Sequence, residues 1–157
     1  MTNLQFLQVE AGPVGLEENH AYLQLVGIEP RSTVQLIADL REGLTSASFS
    51  RFASNIELSE GALSQLISLS TRTLHRRKNG AAQGRLDFRS SEALVRLARV
   101  FGSAIELFEG DVGAARAWMK TPRPALSNIS PLEMSSTEVG AREVGLLIER
   151  LEEGVFS

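Results

Sequence analysis

The stretch of sequence that decides the fold lies between residues 59 and 78 and reads Ser59-Glu-Gly-Ala-Leu-Ser-Gln-Leu-Ile-Ser-Leu-Ser-Thr-Arg-Thr-Leu-His-Arg-Arg-Lys78. Its apolar residues recur at helical spacing on both sides of a short break, which indicates two helices joined by a tight turn. Leu63, Leu66 and Ile67 form the inner face of the first helix, while Leu69 fills the turn and Leu74 anchors the second helix. This pattern predicts a helix-turn-helix, in which the second helix is the one that enters a DNA groove.

The predicted second helix has a strongly basic outer surface. Five arginine or lysine side chains lie between Thr71 and Arg85, and no acidic residue occurs before Asp87. Arginine matches guanine edges and phosphate oxygens, whereas threonine suits a phosphate or a thymine methyl group. Arg72 and Thr73, early in the helix, are therefore predicted to read bases, with the later basic residues on phosphates. The complete predicted DNA surface is Thr71, Arg72, Thr73, His75, Arg76, Arg77, Lys78 and Arg85.

A plainer interpretation of the same helix is a solvated basic surface on an ordinary helical bundle. The turn, the core spacing and the charge all agree with DNA binding, so DNA binding is favoured over the plainer interpretation. His75 fits a solvent-facing position beside the arginines as well as it fits a contact to DNA. Because helix-turn-helix proteins read paired half-sites, a symmetric homodimer is also expected.

The composition describes a folded globular chain in which the basic helix is a local exception. The chain has 157 residues, 43% hydrophobic and 22% charged, with a formal net charge of -3. The absence of cysteine favours a reducing compartment, and we expect a cytoplasmic location without a transmembrane helix or a secretory signal. His20 and His75 have no partner at metal-ligand spacing, so neither a metal site nor a cofactor is expected.

Helical spacing also dominates the remainder of the sequence, which predicts an all-α fold. Residues 1–30 form a weakly patterned N-terminal segment whose order is left open. A short extended piece is predicted over 86–88, an interruption of a helix at Gly102, and a loop from Pro122 to Pro131. Helices are predicted to begin at Thr33, at Ser46 or Ser48, after a cap at Ser59, at Ser91, after a cap at Asp111, and at Thr137.

The C-terminal third contains motifs that become specific in combination. They are Glu106-Leu-Phe-Glu-Gly-Asp111, Ala115-Arg-Ala-Trp-Met-Lys-Thr-Pro-Arg-Pro-Ala-Leu126, Ser130-Pro-Leu-Glu-Met134 and Thr137-Glu-Val-Gly-Ala-Arg-Glu-Val144. Together with the helix-turn-helix half, this order closely resembles the Xre/MbcA/ParS antitoxin family over roughly residues 31–157. The chain departs from the family at Arg123, where asparagine is common, at Ser127-Asn128, where a glycine pair is common, and at Met134, where leucine is common.

The resemblance implies an antitoxin of a type II toxin–antitoxin system. The usual partner in that family is a RES-domain toxin, which consumes NAD or transfers ADP-ribose from it. The resemblance further implies that the antitoxin blocks the toxin's active site by direct binding and represses its own operon. The expected organisation is a DNA-binding domain over residues 31–104, which resembles Xre, and a small helical toxin-binding domain over residues 105–157. The sequence contains no catalytic motif, so an enzyme is not expected.

The final predicted helix and the residues after it are strongly acidic. Five glutamates and two arginines lie between Glu138 and Ser157, and Phe156 adds an apolar anchor. An acidic surface of this kind complements a basic pocket for NAD phosphates. The predicted toxin-binding residues are Arg142, Glu143, Leu146, Arg150, Glu153, Phe156 and Ser157. The plainer interpretation, a helix that only completes the core, is preferred for Leu147 and Leu151. Trp118 is expected in the core or a dimer interface rather than against the toxin.

Two other functions remain compatible with the residues. One is a stand-alone transcription regulator whose C-terminal domain dimerises or senses a ligand. The other is a protein-interaction module whose helix-turn-helix no longer binds DNA.

Overall fold

The computed structural model of the 157-residue chain describes residues 20–29, 32–80 and 84–154. These ranges contain helices, turns and two isolated bridges but no β-strand, which confirms the predicted all-α class. The elements are a 3₁₀ helix at Ala21–Val26, α1 at Thr33–Glu42, α2 at Ser46–Ile56, α3 at Glu60–Leu66, α4 at Thr71–Lys78, α5 at Phe88–Leu107, α6 at Val112–Lys120, a second 3₁₀ helix at Pro124–Leu126, α7 at Pro131–Met134 and α8 at Glu138–Glu152.

Short polar side chains determine where the α-helices begin. Each α-helix is preceded by a serine, threonine or aspartate whose side-chain oxygen accepts a hydrogen bond from the backbone N–H three residues later. This contact satisfies one of the free donors at a helix N-terminus. The predicted caps at Ser59 and Asp111 are confirmed, whereas Thr137 is the cap of α8 and not its first residue. The capping residues are Ser32, Thr45, Ser59, Ser70, Asp87, Asp111, Ser130 and Thr137.

The start of α5 differs from the prediction. The helix begins at Phe88 because Asp87 caps it, its Oδ1 accepting from the Ser90 N–H at 2.7 Å. The predicted start at Ser91 and the predicted extended piece over 86–88 are therefore wrong. The Ser91 hydroxyl is buried and accepts a hydrogen bond from the distant Leu44 N–H at 2.9 Å. Its role is a tertiary contact, which local sequence patterns do not reveal.

Gly102 does not interrupt α5, which continues to Leu107. This glycine allows the N-terminal 3₁₀ helix to approach closely, since a β-carbon on Gly102 would lie 2.8 Å from the Tyr22 Cβ. Leu23 and Val26 of the same 3₁₀ helix are fully buried. Residues 20–29 are therefore part of the packed body of the chain.

The long helix α5 is the centre of the core. It packs against the N-terminal 3₁₀ helix, α1, α2, α6 and α8, and its Phe101 meets Phe52 of α2 edge-on at 6.4 Å. Buried apolar residues continue without a break from the 3₁₀ helix to α8. Because α5 contributes to both halves, the DNA-binding motif and the C-terminal helices share one core.

Polar contacts also join the end of α2 to α6. Arg116 Nε donates to the Asn55 carbonyl at 2.7 Å, and its Nη1 lies 3.4 Å from Glu57 Oε1. Lys120 Nζ donates to the Glu57 carbonyl at 2.7 Å. Cations at a helix C-terminus interact favourably with its free carbonyl groups. These contacts fix the C-terminal helices against the element that precedes the helix-turn-helix.

The loop predicted between Pro122 and Pro131 has more structure than expected. It contains the second 3₁₀ helix, and α7 begins at Pro131. Ser127 and Asn128 adopt left-handed backbone conformations, with φ of 57° and 62°. Glycine takes this conformation without steric cost, which gives a physical reason for the glycine pair that is common there. The Arg123 guanidinium lies 5.4 Å from the centre of the Trp118 ring, and that indole is buried, which confirms its expected place in the core.

Candidate functional site

The helix-turn-helix is formed by α3 and α4. Leu63, Ile67, Leu69 and Leu74 are buried where the sequence placed them, and Ser68 makes the turn with a left-handed φ of 55°. Ser70 then fixes the start of α4. Its Oγ accepts from the Thr73 N–H at 3.0 Å and donates to Thr73 Oγ1 at 2.6 Å. The N-terminal turn of α4, the part that reaches bases in helix-turn-helix proteins, is therefore well anchored.

Four of the predicted DNA-binding residues share the exposed side of α4. These residues are Thr71, Arg72, His75 and Arg76. Within the described parts of the chain, neither Arg72 nor Arg76 forms an ion pair with an acidic side chain. Both guanidinium groups are thus available for an external anion. Thr73 is half-buried and already holds the Ser70 hydroxyl.

Arg77 and Arg85, also predicted to bind DNA, hold the C-terminal end of α4 in place. Arg77 Nη1 donates to the Arg85 carbonyl at 2.7 Å, and its Nη2 lies 3.9 Å from Asp87 Oδ2. Arg85 Nη1 donates to the Gly43 carbonyl at 2.9 Å, and its Nη2 lies 3.3 Å from Glu42 Oε1. The structure therefore places these two arginines between α4, α1 and α5. The acidic partners lie outside the basic run, so the charge count could not reveal this arrangement.

Lys78 is paired with the first helix of the motif. Its Nζ lies 2.6 Å from Glu60 Oε2, and the Ser50 hydroxyl donates to Glu60 Oε1 at 2.6 Å. The hydrogen bond from Lys78, followed by that from Ser50, lowers the pKa of Glu60 below its ordinary value of 4.5. A single carboxylate thus connects α2, α3 and the end of α4.

The lowered pKa of Glu60 predicts a pH-dependent contribution to stability. Because its pKa is lower in the folded chain than in the unfolded chain, the contribution is complete above about pH 4.5 and is lost as the pH falls through the folded-state value. Glu60→Gln should therefore be less stable than the wild type at pH 7, and the difference should shrink on acidification. Urea unfolding at a series of pH values measures this difference. Lys78→Gln should lose the same contribution, and a difference independent of pH would contradict the assignment.

The predicted toxin-binding residues that the structure describes lie along the outer face of α8. Arg142, Glu143 and Glu153 are exposed, Leu146 is 43% exposed and Arg150 is half-buried. Phe156 and Ser157 lie outside the described residues. The prediction missed Val139, which is 78% exposed on the same face. Its spacing of seven residues from Leu146 was the available signal, since that interval returns to nearly the same side of a helix.

The position of α8 depends on a close contact at Gly140. A β-carbon there would overlap the Met134 carbonyl oxygen and lie 2.8 Å from the carbonyl carbon. Arg96 of α5 donates to the Ser135 and Ser136 carbonyls, at 3.2 and 2.8 Å. These contacts seat the turn between α7 and α8 on α5, so that the apolar side of α8 faces the core and its charged side faces outward.

The last turn of α8 also meets an acidic residue of α5. Burial raises the pKa of Glu106 above its ordinary value, and the nearby Glu152 carboxylate raises it further. With Glu149 and Glu153 on the adjacent exposed surface, this end of the molecule is a concentration of carboxylates.

Comparisons with known proteins match both the helix-turn-helix half and the C-terminal half of the chain to antitoxin domains. The Xre-like helix-turn-helix antitoxin domain matches residues 35–99, and the Xre/MbcA/ParS C-terminal toxin-binding domain matches residues 103–154. An antitoxin Xre from Photorhabdus laumondii is 33% identical over 132 residues, which cover 84% of this chain and 88% of that protein. The chain belongs to the Xre/MbcA/ParS antitoxin family. The resemblance found in the sequence is therefore confirmed, and the family is one of antitoxins rather than enzymes.

Two further relatives cover different shares of the chain. An antitoxin Xre from Yersinia enterocolitica is 46% identical over 87 residues, which are 55% of this chain and only 57% of that protein. A Sphingobium protein named Prs ADP-ribosylating antitoxin is 23% identical over 134 residues, which cover 80% of this chain and 83% of that protein. The two family domains meet within α5, the helix that both halves of this family member share.

No helix in the described ranges has the length and apolarity needed to cross a lipid bilayer. Among the same residues, no group of three or more histidine, aspartate or glutamate side chains is arranged to hold a metal ion.

Proposed function

We propose that this chain neutralises a RES-domain toxin by binding directly over its active site, and that it represses its own operon through α4. It would act in the cytoplasm as a homodimer and without a cofactor. The observation that carries the proposal is the presence of two surfaces of opposite charge on one packed body. One is the basic outer side of α4, and the other is the acidic end of α8.

The DNA-binding step would use the exposed side of α4. Arg72 and Arg76 would supply guanidinium groups to bases and phosphates, and Thr71 and His75 lie on the same side. Thr73 would contribute as part of the anchored first turn. Within this proposal Arg77, Lys78 and Arg85 act mainly by fixing the position of α4, because each already contacts the chain itself. A homodimer would present two copies of α4 to the two half-sites of an operator.

The toxin-binding step would use the outer face of α8 and the residues after it. Arg142, Glu143, Leu146, Arg150 and Glu153 would form the part of the interface that begins on the helix, and Phe156 and Ser157 would extend it. The carboxylates at this end complement a pocket that binds the phosphates of NAD. The Sphingobium relative's name joins an antitoxin to ADP-ribosylation, which supports a toxin that acts on NAD.

Co-expression with a gene for the proposed RES-domain toxin tests the toxin-binding step. The full chain should restore growth to cells that express the toxin, whereas a chain without residues 153–157 should restore it poorly because the interface is incomplete. The shortened chain should still bind operator DNA, which serves as the control for folding. Full rescue by the shortened chain would contradict the proposed role of these residues. No rescue by the full chain, with operator binding intact, would instead indicate a stand-alone regulator.

A further inference from the structure

The loop between α6 and α7 holds two consecutive residues in an unfavourable backbone conformation. Ser127 and Asn128 have φ of 57° and 62°. In this region the β-carbon of any residue other than glycine is crowded by the backbone, although asparagine tolerates it better than serine does. Elsewhere in the described ranges, non-glycine residues with a positive φ occur singly. The fold therefore carries a conformational cost in this loop that the glycine pair common in the family would avoid.

The side chains of these two residues do nothing inside the chain to offset that cost. Both residues are exposed, and within the described parts of the chain neither side chain forms a hydrogen bond. The backbone closes the loop, since the Ser127 N–H donates to the Pro124 carbonyl at 3.1 Å and the Asn128 N–H donates to the Arg123 carbonyl at 2.9 Å. Glycine would make both of these bonds equally well. The fold thus gives no reason for a hydroxyl and an amide at these two positions.

The remainder of the loop holds the two residues rigidly. The Arg123 N–H donates to the Ile129 carbonyl at 3.2 Å, which joins the two ends of the loop. Leu126 is buried, and the Thr121 hydroxyl donates to the Ala117 carbonyl at 2.6 Å. A group that is already held in place loses little freedom when it binds a partner. The loop is therefore suited to a specific contact with another molecule.

The exposed part of the loop is polar and neutral. From Thr121 to Ile129 the only charged residue is the half-buried Arg123, and Ile129 is 39% exposed. A neutral hydroxyl and a neutral amide beside one apolar side chain suit a protein surface better than the phosphates of DNA. The 3₁₀ helix at Pro124–Leu126 packs against α8, so the loop borders the helix that the proposed function gives to the toxin.

We propose that Ser127 and Asn128 form a second contact to the toxin, separate from the outer face of α8 and the residues after it. A hydroxyl and a carboxamide each donate and accept hydrogen bonds, so both fit neutral backbone or amide groups on the toxin surface. Ile129 adds an apolar contact next to them. The identity of the partner rests on the proposed function, whereas the residues of this contact are not part of the interface given there.

Two double variants of the full chain separate a side-chain contact from an effect of the loop backbone. Ser127→Gly with Asn128→Gly relieves the unfavourable conformation and should raise the thermal midpoint by about 2–4 °C. Ser127→Ala with Asn128→Ala removes the same polar groups but keeps the β-carbons, so it should not raise the midpoint. Both should weaken binding of the purified RES-domain toxin about tenfold, because each loses the same hydrogen bonds.

Ser54→Gly is the matched control, since Ser54 is exposed but lies within α2. It should lower the thermal midpoint, because glycine is unfavourable within a helix, and leave toxin affinity unchanged. Isothermal titration calorimetry measures the affinity of each chain. No binding by the wild type would overturn the proposed function and this inference with it. Wild-type binding that neither double variant weakens, or that only the glycine pair weakens, would overturn this inference alone.

Discussion

Replacement of Gly140 by alanine is expected to lower the free energy of unfolding by about 3 kcal/mol or more, a large loss for a single substitution. The added methyl group would overlap the Met134 carbonyl oxygen. This oxygen belongs to the backbone and cannot rotate away as a side chain could. The turn between α7 and α8 would have to move, together with the contacts that Arg96 makes to it. For a chain of this length the loss corresponds to roughly 6–12 °C in thermal midpoint.

Gly145→Ala provides a matched control on the same helix. A β-carbon at Gly145 would have no heavy atom within 4 Å apart from the adjoining backbone of its own helix, so alanine there should gain stability through its higher helix propensity. The thermal midpoint, measured by circular dichroism, should therefore fall for Gly140→Ala and rise for Gly145→Ala. Equal changes would contradict the close approach at Gly140. The result would also explain physically why glycine occupies position 140 in the stretch Thr137-Glu-Val-Gly-Ala-Arg-Glu-Val144.

The second large effect is expected at the DNA surface. Arg72→Ala combined with Arg76→Ala should lower the affinity for the chain's own promoter by about a hundredfold, since each arginine that contacts a base or phosphate contributes substantially. The slope of log affinity against log salt should also become shallower by about one for each lost phosphate contact. Fluorescence anisotropy with a labelled promoter fragment at several salt concentrations measures both quantities.

The control for this experiment removes the same charge from elsewhere. Arg41→Ala combined with Arg51→Ala changes two exposed arginines on α1 and α2 and should leave promoter affinity nearly unchanged. Arg77→Ala should weaken DNA binding by a different route, because loss of its contact to the Arg85 carbonyl loosens the end of α4. Its thermal midpoint should fall as well, whereas that of the Arg72 and Arg76 variant should not. Equal loss of affinity in the Arg41 and Arg51 variant would contradict a specific role for α4.

The helix-turn-helix could be predicted because its signals are local. Ser59, Leu63, Leu69 and Leu74 stand at spacings that define one cap, two inner faces and a turn. The exposed side of α4 follows from the same periodicity. The predicted start of α5 at Ser91 was wrong because Asp87, four residues earlier, caps the helix.

The contacts between distant residues could not be predicted from one sequence. Arg85 contacts Glu42 and the Gly43 carbonyl, which lie more than forty positions away in the sequence. A count of charges along the chain does not reveal these contacts, and it predicted Arg85 as a DNA-binding residue. Gly102 was expected to interrupt a helix. Its actual role, to allow the close approach of Tyr22, could not be predicted because that contact arises only when the chain folds back. Val139 was not predicted, because its place on the outer face of α8 follows only from its seven-residue spacing from Leu146.

Although the formal net charge is only -3, the chain has a basic surface on α4 and an acidic end of α8, and the proposed function assigns the first to DNA and the second to a toxin. The most direct test of that assignment is the NAD-consuming activity of a purified RES-domain toxin, the partner that the proposed function gives to this chain. Added in equal amount, the full chain should abolish NAD consumption, and a chain without residues 153–157 should leave most of it. Undiminished consumption in the presence of the full chain, with the chain folded and bound to its promoter DNA, would contradict the account.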